Sequence, residues 1–399
     1  MKILCVLYDD PINGMPKNYP LGDLPKIDKY PDGMTLPSPN GRDFKPGELL
    51  GCVSGELGLR KFLESNGHQL VVTSDKDGDD CTADKELVDA DVVISQPFFP
   101  YYLTRKKMES APNLKMAITA GIGSDHVDLQ AAMDHKIDVV EVTYCNSRSV
   151  AEHIVMMIVS MVRDYHSQYA IVNNGGWNIA DAVQRSYDVE GMHIGTVAAG
   201  RIGLDALRKM KPFDVHLHYF DRHRLPEKVE KELNLTVHDS VESMVKVCDV
   251  VTINCPLHPE TEHLFDETMI NKMKKGAYIV NTARGKICDK DAIAAALKSG
   301  QLSGYAGDVW FPQPAPNDHP WRSMPHHGMT PHTSGTSLSA QTRYADGVRE
   351  ILECFFEKKE IRNQYLIVKD GELAGMGAHS YSKGTATDGS EEAAKYQKK

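Results

Sequence analysis

The sequence has 399 residues, enough for two or three domains, and its 41% apolar and 25% charged content is typical of folded globular proteins. Its formal net charge of −10 argues against nucleic acid or an anionic membrane as a partner. The eight cysteines are scattered and form no C-x-x-C pair, so their spacing offers no disulfide framework, zinc ribbon or iron–sulfur cluster.

Short runs rich in Val and Ile alternate along the chain with helix-length segments, which is typical of parallel α/β sheets. Strands are expected at 2–8, 68–73, 91–95, 114–119, 138–142, 192–198, 215–220, 249–253, 277–281 and 304–309. Helices are expected at 55–66, 147–173, 289–299 and 335–357. The alternation predicts an α/β fold of two doubly wound, Rossmann-like domains with parallel sheets and the active site in the cleft between them.

The two sets of strands are similar to each other, since ADVVISQP at 90–97 matches CDVVTINCP at 248–256. A duplication and the shared pattern of doubly wound units both account for this likeness. Ligands bind in such folds at the carboxyl ends of the strands, where Pro97, Ile122, Pro256 and Arg284 lie.

Two segments do not follow the alternation. Residues 9–50 hold eight of the 21 prolines, and their Tyr, Phe and Leu content favours an ordered arm. Residues 377–399 are small and polar, and for them an ordered arm and a disordered tail both remain open.

The start of the chain, MKILCVLY, has the pattern of neither a signal peptide nor a transit segment. The longest apolar run, IVMMIVSMV at 154–162, is about half as long as a membrane span requires. These features predict a soluble, reduced, cytoplasmic protein.

A dinucleotide-binding turn is indicated by GTVAAGRIG at 195–203, which follows an expected strand. Gly200 and Gly203 stand at the second and third positions of the G-x-G-x-x-G pattern, and Ala198 stands at the first. The second glycine lets the backbone approach a pyrophosphate, and the third lets helix and strand pack closely. The helix that begins near Arg201 points its N–H groups at the phosphates.

Asp221 ends the next expected strand, where a carboxylate accepts the ribose hydroxyls of NAD and repels the extra phosphate of NADP. The neighbouring Arg222 leaves an opening for NADP. The sequence therefore has a strand, a glycine turn, a helix, a second strand and an acidic residue in the order of a dinucleotide-binding unit. This order predicts NAD as the cofactor. His216 and His218 on the same strand are a candidate metal pair, but they lack a carboxylate or cysteine at ligand spacing, so no metal is expected.

Three further motifs carry candidate catalytic residues. NTARG places Arg284 on a strand-end loop, where a guanidinium can clamp a carboxylate with two hydrogen bonds. TPHTSGT places His332 just before a helix, and GDVWFPQP contains Gln313. With the fingerprint, this order resembles the D-specific 2-hydroxy acid dehydrogenase superfamily, in which Arg, Glu and His act on the substrate. Gln313 stands at the position of the Glu.

With this departure, the sequence resembles the metal-free, NAD-dependent formate dehydrogenases of the bacterial type. The motifs that carry the resemblance are GIGSDHVDL, TYCNSRSVAEH, CPLHPETEH and DHPWR. The likeness is continuous from LYDDP to AHSYSKG. It implies oxidation of formate to CO2 by direct hydride transfer to NAD. It also implies a catalytic domain of residues 1–146 plus 336–399 and an NAD-binding domain of residues 147–335.

The resemblance implies two sets of site residues. The catalytic and substrate-contacting set is Arg284, His332, Asn146, Gln313, Ile122, Pro97 and Phe98. The NAD set is Ser147, Ala198, Gly200, Arg201, Ile202, Gly203, Asp221, Pro256, Leu257, His258, Pro259, Glu260, Thr282, Asp308, His332, Thr333, Ser334, Gly335 and Ser380. Arg148 and Thr333 depart from the apolar residues that are usual in the family at those positions.

The chemistry of formate agrees with a neutral Gln313. Oxidation of a 2-hydroxy acid releases a hydride and a hydroxyl proton, so it needs a base, commonly a histidine oriented by a carboxylate. Formate gives up only its hydride and leaves as neutral CO2. A carboxylate beside His332 would repel formate, whereas an amide holds the imidazole without charge. Arg284, Asn146 and His332 can then fix the formate oxygens, while the apolar members of the set exclude water.

Two other functions remain open. A D-2-hydroxy acid dehydrogenase of the glyoxylate type would have to tolerate Gln313, and turnover of formate and glyoxylate distinguishes it. An NAD-sensing, corepressor-like binding protein would need a peptide groove and would not turn over formate. Expected partners are formate and a second copy of the chain, because the apolar 147–173 segment suits a homodimer interface. Nucleic acid and membrane are not expected.

Overall fold

The computed structural model describes residues 1–9, 38–44 and 48–375, which form two compact units. The first unit consists of two chain segments, one that ends at Asn146 and one that begins at Gly335. The second unit is Ser147–Ser334. Gly335, expected in the NAD-binding domain, groups with the first unit because it packs on Asn146. A Cβ built on Gly335 would lie 2.4 Å from Asn146 Nδ2.

Residues 10–37 and 45–47 of the expected arm lie outside the described residues, and so does the 377–399 segment with Ser380. The described part of the arm is anchored on a buried carboxylate, Asp346, which is 0% exposed. Asp346 Oδ2 accepts hydrogen bonds of 2.8 Å from the Ser38 hydroxyl and the Asn40 N–H. The Arg42 guanidinium forms an ion pair with the same carboxylate.

Strands and helices alternate in both units. The strands are β1 Lys2–Val6, β2 Gln69–Thr73, β3 Val92–Ser95, β4 Met116–Thr119, β5 Asp138–Glu141, β6 His193–Val197, β7 His216–Phe220, β8 Leu235–Val237, β9 Val250–Ile253, β10 Ala277–Asn281, β11 Leu302–Gly307, β12 His327–Met329, β13 Leu366–Lys369 and β14 Glu372–Leu373. The α-helices are α1 Arg60–Ser65, α2 Thr82–Leu87, α3 Arg105–Glu109, α4 Leu129–His135, α5 Ser147–Val162, α6 Tyr165–Asn173, α7 Ile179–Ala182, α8 Arg201–Met210, α9 Glu227–Leu233, α10 Val241–Val245, α11 Glu267–Lys272, α12 Lys290–Ser299 and α13 Leu338–Glu357. Short 3₁₀ turns span Glu56–Gly58, Lys211–Phe213, Gly285–Ile287, Pro320–Arg322 and Asn363–Tyr365.

The sheet of the first unit has the strand order β14-β13-β5-β4-β3-β1-β2. Strands β1 to β5 are parallel, and β13 pairs antiparallel with both β5 and β14. Apolar clusters pack on both faces of the sheet, which is why its strands are continuous Val and Ile runs. The order reverses between β1 and β3, and the loops after β3 and β4 carry Pro97 and Ile122.

The sheet of the second unit has the order β12-β11-β10-β9-β6-β7-β8, and every neighbouring pair is parallel. It too is covered by apolar clusters on both faces. The order reverses between β6 and β9, so the loops that follow these strands, 198–200 and 254–260, lie at the switch point where such folds bind ligands. The predicted fold class of two doubly wound α/β domains is confirmed.

Two expected helices are interrupted. The 147–173 segment breaks into α5 and α6 at Asp164, and the 55–66 segment begins as a 3₁₀ turn around Leu57. Both residues have a left-handed backbone, with φ of 51° and 52°, which an α-helix cannot continue through. Four strands were not predicted from the sequence, because β8, β12, β13 and β14 have only two to four residues each, too few to show a strand pattern. Within the described ranges, no helix has the length and apolar character that crossing a membrane requires.

Candidate active site

The turn between β6 and α8 has the geometry of a phosphate-binding loop. Ala198 is left-handed, with φ of 69°, and the Thr196 hydroxyl donates to its carbonyl oxygen at 2.8 Å. Gly203 packs so closely on the turn that a Cβ there would lie 2.2 Å from that oxygen. By contrast, apart from Gly200 itself and its two chain neighbours, no described residue has an atom within 4 Å of a Cβ built on Gly200. The N-terminus of α8 at Arg201 is therefore approachable along the backbone of the turn.

Asp221 is tied to this turn through its carboxylate. One oxygen accepts the N–H of Ala199 at 2.8 Å, and the other accepts the N–H of His223 at 2.9 Å. Asp221 is partly buried at the end of β7, and the next residue, Arg222, is exposed. The acid is thus fixed beside the phosphate-binding loop, where a dinucleotide fold holds the ribose.

Buried polar atoms around the same strand ends suit a polar cofactor. Thr282 Oγ1, Asn254 Oδ1 and His258 Nδ1 are buried and have no hydrogen-bond partner among the described residues. They follow β9 or β10, at the same edge of the sheet as the turn after β6. A buried unpaired polar atom costs about 1–3 kcal/mol, so these atoms fit a ligand as rich in donors and acceptors as NAD. Asn254 was missed by the sequence analysis because one Asn after a strand has no distinctive spacing.

The other predicted NAD residues of this edge lie at element ends. Ser147 begins α5, and Ile202 lies in the first turn of α8. The loop of residues 256–260 is closed by Thr261, whose hydroxyl accepts the N–H of His258 and donates to the carbonyl oxygen that starts the loop, both at 2.8 Å. Burial lowers the pKa of His258, so this imidazole is neutral near pH 7.

Arg284 is held at the carboxyl end of β10 by the buried side chain of Asn281. Asn281 Oδ1 accepts the N–H of Ala283 at 3.0 Å, and Asn281 Nδ2 donates to the carbonyl oxygen of Arg284 at 2.9 Å. The following Gly285 lies against Trp310, where a Cβ would be 2.5 Å from the Trp310 carbonyl carbon. The guanidinium is therefore carried by a rigid loop, which suits the clamping of a small carboxylate.

His332 and Gln313 form a pair, with 2.9 Å between His332 Nδ1 and Gln313 Oε1. His332 has a left-handed φ of 59°, a conformation that a non-glycine residue keeps only where its surroundings impose it. The partner of this imidazole is thus a neutral amide rather than a carboxylate.

Asp308, fully buried after β11, supplies the constraint on the loop that carries His332. Its Oδ1 accepts the N–H of Thr333 at 2.8 Å, and its Oδ2 accepts the N–H of Ser334 at 2.7 Å. The Thr330 hydroxyl also donates to Oδ1. The loop is therefore fixed on both sides of His332 by one carboxylate.

Two members of this network, Thr330 and His153, were not predicted as site residues from the sequence. His153 lies on α5, with its Nε2 3.3 Å from Thr330 Oγ1. Both residues occur in quoted motifs, but 177 positions separate them, and no spacing rule links residues so far apart.

In the first unit, three predicted apolar residues meet around Gly121. A Cβ on Gly121 would lie 2.9 Å from Pro97 Cδ and 3.9 Å from Phe98 Cε1, and Ile122 is the next residue along the chain. Phe98 and Ile122 pack on the main apolar cluster of this unit. The ring of Phe98 also meets that of Tyr8 edge to face, with centroids 6.1 Å apart. These residues form a closely packed apolar wall.

Asn146, the remaining predicted substrate residue, is 7% exposed, and its Oδ1 has no hydrogen-bond partner among the described residues. Gly335 packs against its amide, and Arg343 of α13 donates through Nε to the carbonyl oxygen of Cys145 just before it. The amide is thus positioned and has hydrogen-bonding capacity for a ligand. The predicted substrate residues form two sets, one in each unit.

Four histidines form a separate array on β6, β7 and the residue after β8. His193 Nδ1 lies 2.8 Å from His218 Nε2, and His218 Nδ1 lies 3.0 Å from His238 Nε2. The His216 ring stacks on that of His193, with centroids 4.6 Å apart. Burial and the neighbouring imidazoles lower the pKa of His218 to about 4. His218 uses both ring nitrogens on other imidazoles. In the described part of the chain, no three or more His, Cys, Asp or Glu side chains are placed so that they could hold one metal ion.

Comparison with known proteins covers both units. Residues 155–334 match the NAD-binding domain of the D-isomer specific 2-hydroxyacid dehydrogenases. The chain is 70% identical over 397 residues to a formate dehydrogenase of Pseudomonas sp. (strain 101), covering 100% of this chain and 99% of that protein. A solved Granulicella M. formate dehydrogenase has a TM-score of 0.86 and 62% identity, covering 94% of this chain and 100% of that one. An NAD-dependent formate dehydrogenase from Staphylococcus aureus, solved in complex with NAD, has a TM-score of 0.79 and 41% identity, covering 93% and 100%.

Proposed function

Since this chain belongs to the NAD-dependent formate dehydrogenases of the D-2-hydroxyacid dehydrogenase superfamily, we propose that it oxidises formate to CO2 by direct hydride transfer to NAD. The reaction yields NADH and requires neither a metal nor the transfer of a proton. The observation that carries this proposal is the neutral Gln313 paired with His332.

The amide suits formate because it keeps His332 a hydrogen-bond donor without adding charge. When His332 Nδ1 carries a proton, it donates to Gln313 Oε1, as the 2.9 Å contact allows. When Nδ1 is bare, the amide can turn its NH2 group toward it, and the imidazole proton then sits on Nε2. In both the cationic and this neutral form, Nε2 carries a proton that can be donated to a formate oxygen. A carboxylate could not make this second arrangement.

Binding and aiming of formate then fall to three polar side chains. The Arg284 guanidinium can hold both oxygens of formate through parallel N–H donors, because its loop is fixed by Asn281. His332 and the amide of Asn146 complete the set of donors. When its oxygens are fixed by such donors, the C–H bond of formate is held in one direction.

The apolar wall of Pro97, Phe98 and Ile122 favours the product. Formate carries a negative charge and CO2 carries none, so an environment poor in water disfavours the anion more than the neutral product. The close contact of Pro97 and Phe98 with Gly121 leaves this wall little room to rearrange.

We assign NAD to the second unit, where the turn of residues 198–203 receives the pyrophosphate and Asp221 receives the ribose. When bound there, NAD supplies the acceptor for the hydride. The Asp221 carboxylate should disfavour NADP by several kcal/mol, that is, by about three orders of magnitude or more in catalytic efficiency. Asp221→Gln should narrow this gap, mainly through tighter NADP binding. Equal use of both cofactors by the unmodified protein would contradict the assignment.

The reaction is tested by the absorbance of NADH after mixing the purified protein with NAD and formate in the presence of a metal chelator. We expect NADH to accumulate, and deuterated formate to react more slowly in a single turnover. Glyoxylate with NADH should react far more slowly. Failure of formate to produce NADH, or faster turnover of glyoxylate, would overturn the proposal.

We further propose that the chain acts as a homodimer. An exposed apolar surface on α6 and the residues up to α7 supports this, since Tyr165, Tyr169, Trp177 and Ile179 are 56%, 58%, 83% and 72% exposed. Light scattering should give twice the mass of one chain, and replacing Trp177 and Ile179 together by Ser should weaken the association. A single-chain mass at all concentrations would contradict the dimer.

Cytoplasmic location is supported by the thiols. All eight cysteines are free, and seven of them are buried, which is typical of proteins of a reducing compartment. Fractionation of the host cells should find the protein with cytoplasmic markers, and recovery with an oxidising compartment would contradict this.

A further inference from the structure

The Thr330 hydroxyl has one proton and three neighbours that can take it. Oδ1 of Asp308 lies within hydrogen-bond distance, the Gly307 carbonyl oxygen is 3.4 Å away, and His153 Nε2 is 3.3 Å away. The direction of this proton matters because Asp308 is fully buried and fixes the loop on both sides of His332. An ionised carboxylate can only accept, so it depends on donors such as Thr330.

We propose that His153 is a positioning residue whose Nε2–H donates to Thr330 Oγ1 and so directs the Thr330 proton to Asp308. The series of hydrogen bonds from His153 through Thr330 to Asp308 then sets the position of the loop that carries His332. This inference rests on the proposed function, since formate is the substrate that His332 would contact.

The tautomer of His153 decides between two arrangements. With the proton on Nε2, His153 donates to Thr330, and the Thr330 hydroxyl remains a donor toward Asp308. With the proton on Nδ1, Nε2 becomes an acceptor that competes for the Thr330 proton, and the buried Oδ1 of Asp308 then keeps only the Thr333 N–H of its two donors. The geometry therefore favours the Nε2–H tautomer. Burial lowers the pKa of His153, although the charge of the nearby Asp308 acts in the opposite direction. The neutral imidazole therefore predominates near pH 7.

The tautomer can be measured on the unmodified protein. Nitrogen NMR of histidine labelled at both ring nitrogens, with His153 assigned by comparison with His153→Gln, distinguishes a protonated Nε2 from a protonated Nδ1 in a neutral ring. We expect Nε2 to carry the proton of His153. A neutral His153 protonated on Nδ1 overturns the proposal without any reference to activity.

Variants test the consequence for the reaction at saturating NAD. His153→Leu should lower kcat/KM for formate about tenfold, whereas His153→Gln, whose amide can still donate, should stay within about twofold of the unmodified protein. Thr330→Val should match the loss of His153→Leu, and Thr330→Ser should retain activity. His135→Leu at the exposed end of α4 is the matched control and should leave activity unchanged.

A double variant separates positioning from packing. Because His153 acts through Thr330, the variant with both His153→Leu and Thr330→Val should lose about as much as either single change. Losses that multiply, or a His153→Gln protein as impaired as His153→Leu, would overturn the relay. If the unmodified protein fails to oxidise formate, the proposed function fails instead, and the two failures are thereby distinguished.

Discussion

The two sets of proposed substrate residues are held in place by different forces. In the first unit, Pro97 and Phe98 are placed by van der Waals contact with Gly121 and by packing on an apolar cluster. In the second unit, Arg284 and His332 are placed by directed hydrogen bonds to neighbouring side chains. An apolar wall tolerates substitutions that keep volume and shape, whereas a polar loop fails when a single donor or acceptor is removed. The two halves should therefore differ sharply in their response to mutation.

The largest effect is expected at Arg284. Arg284→Ala should lower kcat/KM for formate by at least about 10³-fold, and Arg284→Lys should recover little because an ammonium lacks the planar fork of donors. NAD binding, measured by fluorescence titration, should survive in both variants. Arg208→Ala, on the exposed side of α8, is the control and should be fully active. Normal formate oxidation by Arg284→Ala would remove the clamp from the mechanism.

The hydrogen-bonded unit should also respond to acid through the histidine array. His218 has a pKa lowered to about 4 in the fold against 6.5 in the unfolded chain, so the unfolded chain binds more protons between these values. Stability should therefore be intact above about pH 6.5 and should fall by up to about 3 kcal/mol as the pH drops toward 4.

His218→Gln, which cannot titrate, should lose less stability over the same interval than the unmodified protein. Urea unfolding at several pH values measures this difference, and exposed His135→Gln serves as the control. If the free energy of unfolding falls equally with pH in His218→Gln and in the unmodified protein, the histidine array does not titrate in this interval.

A smaller effect is expected when the neutral partner of His332 is made acidic. Gln313→Glu keeps the size of the side chain but favours the imidazolium and places a negative charge near formate. Formate affinity should fall about tenfold near pH 8, and kcat/KM should acquire a pH dependence that belongs to the coupled pair. In the unmodified protein, kcat/KM for formate should be nearly constant across neutral pH. A steep profile near pH 7 that is the same in both proteins would indicate that proton transfer belongs to the chemistry.

The smallest effect is expected in the apolar wall. Phe98→Leu keeps an apolar side chain on Gly121 and should change kcat/KM for formate by no more than about threefold. Phe98→Asn, of similar size to Leu but polar, should weaken activity more, since it admits water beside the substrate. Steady-state kinetics of both variants tests the contrast, and a loss of about 10²-fold in Phe98→Leu would show that the wall is as demanding as the polar set.

Local patterns in the sequence predicted the features that depend on local geometry. The strand before Gly200, the helix after it and the acid at Asp221 all follow from residues within one β-α-β stretch, and the structure has them in these places. It also shows Ala198 in the left-handed conformation that a glycine usually supplies at this turn.

Features that depend on long-range contacts could not be predicted from the sequence. The contact of His153 with Thr330 joins residues far apart in the chain, and the break at Asp164 lies inside the 147–173 segment that was predicted as one helix. The short edge strands β8 and β12 are defined by their pairing with β7 and β11 rather than by composition.

The buried carboxylate of Asp346 limits how such a chain can change during evolution. Loss of Ser38, Asn40 and Arg42 in one deletion would remove three groups that bond to the Asp346 carboxylate, including an ion-pair partner, and would therefore destabilise the fold. A neutral residue at position 346 would remove the buried charge that the arm compensates, but Arg42 would keep an ion pair with Glu353 of the same helix. Arm and helix α13 are therefore expected to change together, so that a shortened arm is accompanied by a compensating substitution in the middle of α13.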